Sequence, residues 1–154
     1  MTERIYIDTS VIGGFSDKVI AEWSQSLFDE IKTGKRIAIV SDLTRLELES
    51  APESVQKVLS DIPDSQIENV FLSDEAEQLA QRYIDSNVTT ERHIIDAQHI
   101  AVATIEKVDV LVSWNFRDIV NLNRIRAFNS VNLRYGYHML EIRTPREVLH
   151  GTDD

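Results

Sequence analysis

Two hydrophobic patterns alternate along the chain: short runs of β-branched and aromatic residues, and longer segments with apolar residues at i, i+3 and i+4. Arg4 to Asp8 (R-I-Y-I-D) predicts a buried strand, ended by a turn at Thr9, Ser10 and the Gly13-Gly14 pair. From Asp17, with Ser16 as N-cap, Val19, Ile20, Trp23, Leu27, Phe28 and Ile31 recur at helical spacing until Gly34 stops the helix. Arg36 to Ser41 (R-I-A-I-V-S) predicts a second buried strand and Asp42 to Ser50 a short helix. Pro52, at a first helical position, opens another short helix carrying Val55, Val58 and Leu59, which Pro63 ends.

Ile67 to Leu72 is strand-like, and Ser73 caps a helix in which Ala76, Leu79, Ala80, Tyr83 and Ile84 form one apolar face. Glu91 to Lys107 predicts a central helix, apolar on nearly every side from Ile94 to Ile105, and Val108 to Ser113 another strand. Asn121 to Tyr137 is mixed and reads as helix then loop, anchored by Ile125, Phe128, Val131 and Leu133. Leu140 to Arg143 predicts a last strand, and Thr144-Pro145-Arg146-Glu147 is a capping box for a final helix closed by Gly151. Strands separated by helices predict an α/β domain with a mainly parallel sheet, one domain over residues 1–150 and a tail at 151–154.

Composition narrows the chemistry. The chain has no cysteine, which removes disulfides, thiolate metal sites and cysteine nucleophiles, and fits a reducing compartment. Its 16 Lys+Arg against 26 Asp+Glu give a net charge of −10, which argues against nucleic-acid binding through broad electrostatics. Any such role has to rest on a local site. No apolar run approaches the roughly 20 residues of a membrane span, and Met1 to Arg4 leads directly into a strand-like run, unlike a secretory leader. A cytoplasmic domain is expected.

In open α/β sheets ligands bind beyond the carboxyl ends of the strands. Asp8 ends the first strand; Glu47, with Glu49 two residues on, follows the second; Asp96 lies near the start of the buried helix; Ser113, Asn115 and Asp118 follow the next long strand. Carboxylates and neutral oxygens with little His are the ligand chemistry of Mg²⁺ or Mn²⁺ rather than zinc. Each has a plainer reading: Asp8 as a turn cap, Glu47 and Glu49 as solvated helix charges, Asp118 as a loop residue or an N-cap before Ile119. Asp96 differs, because an all-apolar helix leaves its carboxylate little water, so it needs a cation or backbone N–H groups at the helix start. His93, Asp96 and His99 recur at i, i+3, i+6 but lack the i, i+4 His pair of zincins, and His99 reads as a satisfied helix histidine. Phosphate-loop and nucleophile-elbow patterns are absent.

Taken together, I-Y-I-D-T-S-V-I-G-G (Ile5 to Gly14), V-S-D-L-T-R-L-E-L (Val40 to Leu48), D-A-Q-H-I-A-V-A-T (Asp96 to Thr104) and V-L-V-S-W-N-F-R-D-I (Val110 to Ile119) resemble, in order and spacing, the PIN domain, and more narrowly the VapC-type toxin ribonucleases. The resemblance implies a three-layer α/β/α fold and a metal-dependent endoribonuclease that is the toxin of a type II toxin–antitoxin pair. It makes Asp8, Glu47 and Asp96 ligands of one or two Mg²⁺ or Mn²⁺ ions, with Asn115 where many members carry a fourth acid and Asp118 three residues later. Thr9, Ser10 and Ser113 become hydroxyls that orient the first acid or contact phosphate. An RNA substrate, a small antitoxin and a homodimer are the implied partners. Clustered acids without metal imply at least one raised carboxylate pKa. Arg45, Arg92, Arg117, Arg124, Arg126 and Arg134, with Trp114 and Phe116, are candidate RNA contacts. An inactive binding module of the same fold is the alternative, motivated by Asn115 and the −10 balance. A receiver-like phospho-acceptor domain is disfavoured, because no suitably placed Lys follows the last strand and no paired acids precede Asp8.

Overall fold

The computed structural model describes residues 2–13 and 17–150. Strand β1 (Glu3–Ile7) lies at the centre of a five-stranded sheet with β2 (Arg36–Ser41) on one side and β4 (Val110–Val112) on the other; β3 (Ile67–Val70) and β5 (Ile142–Arg143) are the edges. All four pairings are parallel, so the mainly parallel sheet of the sequence reading is wholly parallel among the described residues. Ile5 sits opposite Ala38 on one side and Val110 on the other.

The period of two along each strand sorts the core into two layers. Tyr6, Ile39 and Leu111 face α5 (Asp74–Asp85), α6 (Ile94–Ile105) and α7 (Leu122–Arg134), meeting Leu79, Tyr83, Ile100 and Phe128. Ile5, Ile7, Ala38, Val40, Val110 and Val112 face the opposite way. There they meet α1 (Thr9–Gly13), α2 (Lys18–Lys32), α4 (Glu53–Ser60) and α8 (Pro145–His150). Helices on both faces explain why the strands read as continuous apolar runs. The result is the three-layer α/β/α arrangement.

Local chemistry sets most boundaries. Asp17 caps α2, its carboxylate accepting Val19 N–H at 2.9 Å and Ile20 N–H at 3.2 Å, and Gly34 leaves the helix at φ +89°. The Ser16 cap, Gly14, the Gly151 stop and the 151–154 tail lie outside the described residues. Ser41 caps α3 (Asp42–Leu48), Ser73 caps α5, and Thr144 and Glu147 form the reciprocal capping box at 3.0 and 3.2 Å. Pro52 is the N-cap of α4, one position outside the helix it was expected to begin, which starts at Glu53. Two segments differ more. The turn expected after Asp8 is the short helix α1, begun by Val11 N–H donating to Asp8 O at 3.0 Å and held by burial of Val11 and Ile12. The single helix expected from Glu91 is broken: a 3₁₀ turn, Glu91–His93, precedes α6.

The mixed segment after Asn121 is mostly the helix α7, and its polar residues turn inward. Asn129 donates Nδ2–H to Leu140 O at 3.0 Å and accepts Leu140 N–H at 2.7 Å, clamping the chain just before β5. Asn132, fully buried, donates to Thr104 Oγ1 at 3.3 Å and accepts the Tyr83 hydroxyl. No helix among the described residues is long and apolar enough to cross a membrane. Replacing Asn129 by Ala strands two buried backbone groups of Leu140, so Asn129→Ala should lose about 2–4 kcal/mol in urea unfolding, whereas a change at exposed Ser130 should be near neutral.

Candidate functional site

With β2 and β4 flanking β1, the carboxyl ends of the three central strands meet where the strand order reverses, and the predicted acids collect there. Asp8 follows β1 directly, and its N–H extends the ladder to Val112 O at 3.1 Å. Only 5 % exposed, it accepts Ser10 Oγ–H at 2.6 Å and Ser113 Oγ–H at 2.8 Å, both on Oδ2. Those hydroxyls are themselves held, since Trp114 N–H donates to Ser10 Oγ and Asn115 N–H to Ser113 Oγ, each at 2.9 Å. Ser10 and Ser113 thus orient Asp8.

Asp96, in the first turn of α6, faces Asp118 from the loop after β4. His93, Asp96 and Asp118 each offer an atom within 4.8 Å of the other two, a donor set that fits a divalent ion. Burial first, then the charges of Asp8 and Asp118, push the Asp96 carboxyl up to about 6, the raised value expected of crowded acids. Among the described residues no Lys or Arg pairs with Asp8, Asp96 or Asp118. Asp118 does not cap a helix at Ile119, because α7 starts later with Asn121 as its N-cap. Its N–H instead donates to Asn115 Oδ1 at 3.0 Å, so Asn115 folds the turn that presents Asp118.

Glu47, on α3, stands outside the His93–Asp96–Asp118 cluster. Its Oε1 accepts Thr9 Oγ1–H at 2.9 Å and lies 2.6 Å from His99 Nε2, so Thr9 orients Glu47. His99 is 1 % exposed and its Nδ1 lies 2.6 Å from the Tyr6 hydroxyl, which is 2.7 Å from Ser41 Oγ. With both ring N–H groups donating, Tyr6 passes its hydrogen to Ser41, and the chain closes through Thr44 Oγ1–H on Ile7 O. Burial alone would lower the His99 pKa; its hydrogen bond to Glu47 and the charges of Asp8, Glu47 and Asp96 raise it above 6.5 instead. Partial burial would raise Glu47, but the bond and charge of His99 together with Thr9 hold it below 4.5.

His99 is the satisfied helix histidine that the sequence suggested, yet it serves Glu47. His93 and Tyr6 were not in the predicted site. The signal for His93 was its position three residues before Asp96, which puts both on one side of the helix start; nothing in the sequence marked Tyr6. Of the cations, Arg45 is taken by Asn69 Oδ1 at 2.7 and 3.1 Å and Arg124 by Val88 O, while Arg92, Arg117, Arg126 and Arg134 are exposed. Trp114 is tied inward by Nε1–H to Ser24 Oγ at 2.9 Å, whereas Phe116 is 56 % exposed.

The fold is shared with VapC20 of Mycobacterium tuberculosis, a crystal structure described as that of a sarcin-ricin loop cleaving toxin, at a TM-score of 0.55 over 88 % of this chain and 98 % of that one, with 12 % identity. That likeness carries the PIN-type fold that the four motifs implied. No family model matches the sequence, and no curated protein matches it significantly.

Two outcomes follow for the metal-free protein. Because Asp96 binds its proton more tightly folded than unfolded, stability falls as pH rises from 3.8 through about 6 and the penalty persists above that. Asp96→Asn should therefore melt higher than the parent in EDTA at neutral pH, the gap shrinking toward pH 4. The His99–Glu47 bond contributes between two limits: raised His99, with the same sign as Asp96, contributes below 6.5 and is lost as pH rises through its folded value, while lowered Glu47, with the opposite sign, contributes above 4.5 and is lost as pH falls through its folded value. Glu47→Gln should shift the His99 ring titration downward in NMR.

Proposed function

We propose that this protein is a metal-dependent endoribonuclease, the toxin of a toxin–antitoxin pair, with its site at Asp8, Glu47, Asp96 and Asp118. The observation that carries the reading is convergence at the reversal point of a parallel sheet: Asp96 and Asp118 stand with His93 in one donor cluster, the charge of Asp8 acts on Asp96, and no Lys or Arg among the described residues pairs with these acids, in a fold shared with a sarcin-ricin loop cleaving toxin.

Asp8, Asp96 and Asp118 would hold Mg²⁺ or Mn²⁺, with Glu47 completing the site. A divalent ion supplies charge stabilisation to a phosphodiester and acidity to water, so a strongly basic side chain is not needed. The reaction adds water to phosphorus and breaks one P–O ester bond, the proton going to the leaving oxygen. The chain's own part is positioning. Ser10 and Ser113 occupy Asp8 Oδ2 and leave Oδ1 without a protein hydrogen bond among the described residues; Thr9 and His99 do the same for Glu47, occupying Oε1 and leaving Oε2. Asn115 fixes the turn of Asp118 rather than serving as the fourth ligand. Asp96 keeps its proton up to about pH 6, so loading releases a proton and weakens in acid.

With a net charge of −10, RNA affinity must be local, from the ion, the exposed Arg92 and Arg117 beside the site, and the face of Phe116. The acidic surplus suits a basic antitoxin segment, and a homodimer, proposed from the family resemblance, would be seen by light scattering. Purified protein should cleave a structured RNA with Mg²⁺ or Mn²⁺ and not in EDTA. Asp8→Asn and Asp96→Asn should each reduce cleavage by at least about a hundredfold while keeping the parent's circular dichroism. Cleavage by both variants at the parent's rate would overturn the site, and failure to bind millimolar Mn²⁺ would favour the inactive module.

A further inference from the structure

The three-donor cluster contains a nitrogen that the oxygen-only ligand set does not use. His93 ends the 3₁₀ turn and is the N-cap residue of α6. Its Nδ1 lies 3.7 Å from Asp96 Oδ2 and 3.8 Å from Asp118 Oδ2. Both distances are too long for a hydrogen bond, and no other described residue hydrogen-bonds the ring. They are close to what one shared ion requires. Ligands about 2.1 Å from a common centre stand about 3.0–3.5 Å apart in octahedral or tetrahedral arrays, so a contraction of a few tenths of an ångström closes the set. The two carboxylates come from different elements and repel, yet they flank one imidazole almost symmetrically.

We propose that His93 Nδ1 is a metal ligand, joining Asp96 and Asp118 to form an N,O,O site that selects Mn²⁺ over Mg²⁺. The inference rests on the metal-dependent reading above and deepens it by naming the ion. Mg²⁺ favours oxygen donors and gives up water reluctantly, whereas imidazole favours later divalent ions of the first row. His99 cannot substitute. Six residues along, it lies on another side of the helix, buried and bound at both ring nitrogens to Tyr6 and Glu47.

The test is pulsed electron paramagnetic resonance of the full chain loaded with Mn²⁺ alone, with competition titrations against Mg²⁺. The parent should show ¹⁴N hyperfine coupling that is replaced by the ¹⁵N pattern on labelling with ¹⁵N-histidine. His93→Gln should lose it, binding Mn²⁺ on the order of tenfold or more weakly, with Mg²⁺ affinity little changed and the same melting curve in EDTA. Bound Mn²⁺ without nitrogen coupling, or coupling that survives in His93→Gln, overturns the assignment of His93 and leaves the metal-dependent reading standing. No Mn²⁺ binding by the parent overturns both. Should His93→Gln fail to fold, the labelled parent still decides whether a histidine nitrogen is bound, and coupling that survives in each of His99→Gln, His138→Gln and His150→Gln assigns it to the remaining histidine, His93.

Discussion

Repulsion among Asp8, Asp96 and Asp118 is the constraint that the rest of the site answers. Three carboxylates from the ends of two strands and the start of one helix are brought together without a described Lys or Arg between them, and burial together with the charges of Asp8 and Asp118 pushes Asp96 up to about 6. A fold tolerates such a cluster only where other interactions hold its members in place, and here each acid has its own restraint: two serine hydroxyls on Asp8, the first turn of α6 under Asp96, and the Asn115 carboxamide under Asp118. On the proposed metal-dependent reading a bound cation would relieve that repulsion, linking the fold's stability to its chemistry.

Glu47 is held differently. Its support runs through the protein interior, from His99 to Tyr6, Ser41 and Thr44, and ends on the backbone of β1. The same Ser41 caps α3, the helix that carries Glu47. Sheet, helix start and carboxylate are therefore joined by one set of hydrogen bonds, and a change in any member reaches the site without touching it. Tyr6 also belongs to the core layer against α6, so core packing and site geometry share a residue.

The legible parts were those governed by neighbours in sequence. Caps at Ser73 and Thr144 act within one helical turn, and the apolar runs of β1, β2 and β4 reflect burial on both faces, so both were readable from local pattern, although the cap of α2 falls on Asp17 and not on the expected Ser16. The segment after Asn121 was obscure because Asn129 and Asn132 look like surface residues until Leu140, Thr104 and Tyr83, all distant in sequence, are placed beside them. The turn after Asp8 is a helix because Val11 and Ile12 have a core to enter, something the Gly-rich sequence alone does not disclose.

By itself the sequence determined the class of fold, the absence of cysteine chemistry and the identity of the acids at strand ends, because periodicity and composition are local properties. Tertiary structure alone decided their partnership. It set His93 between Asp96 and Asp118, sent His99 inward to Glu47, and made Asn115 a support for Asp118, since which side chains meet across α6, α3 and the loop after β4 depends on how the layers pack.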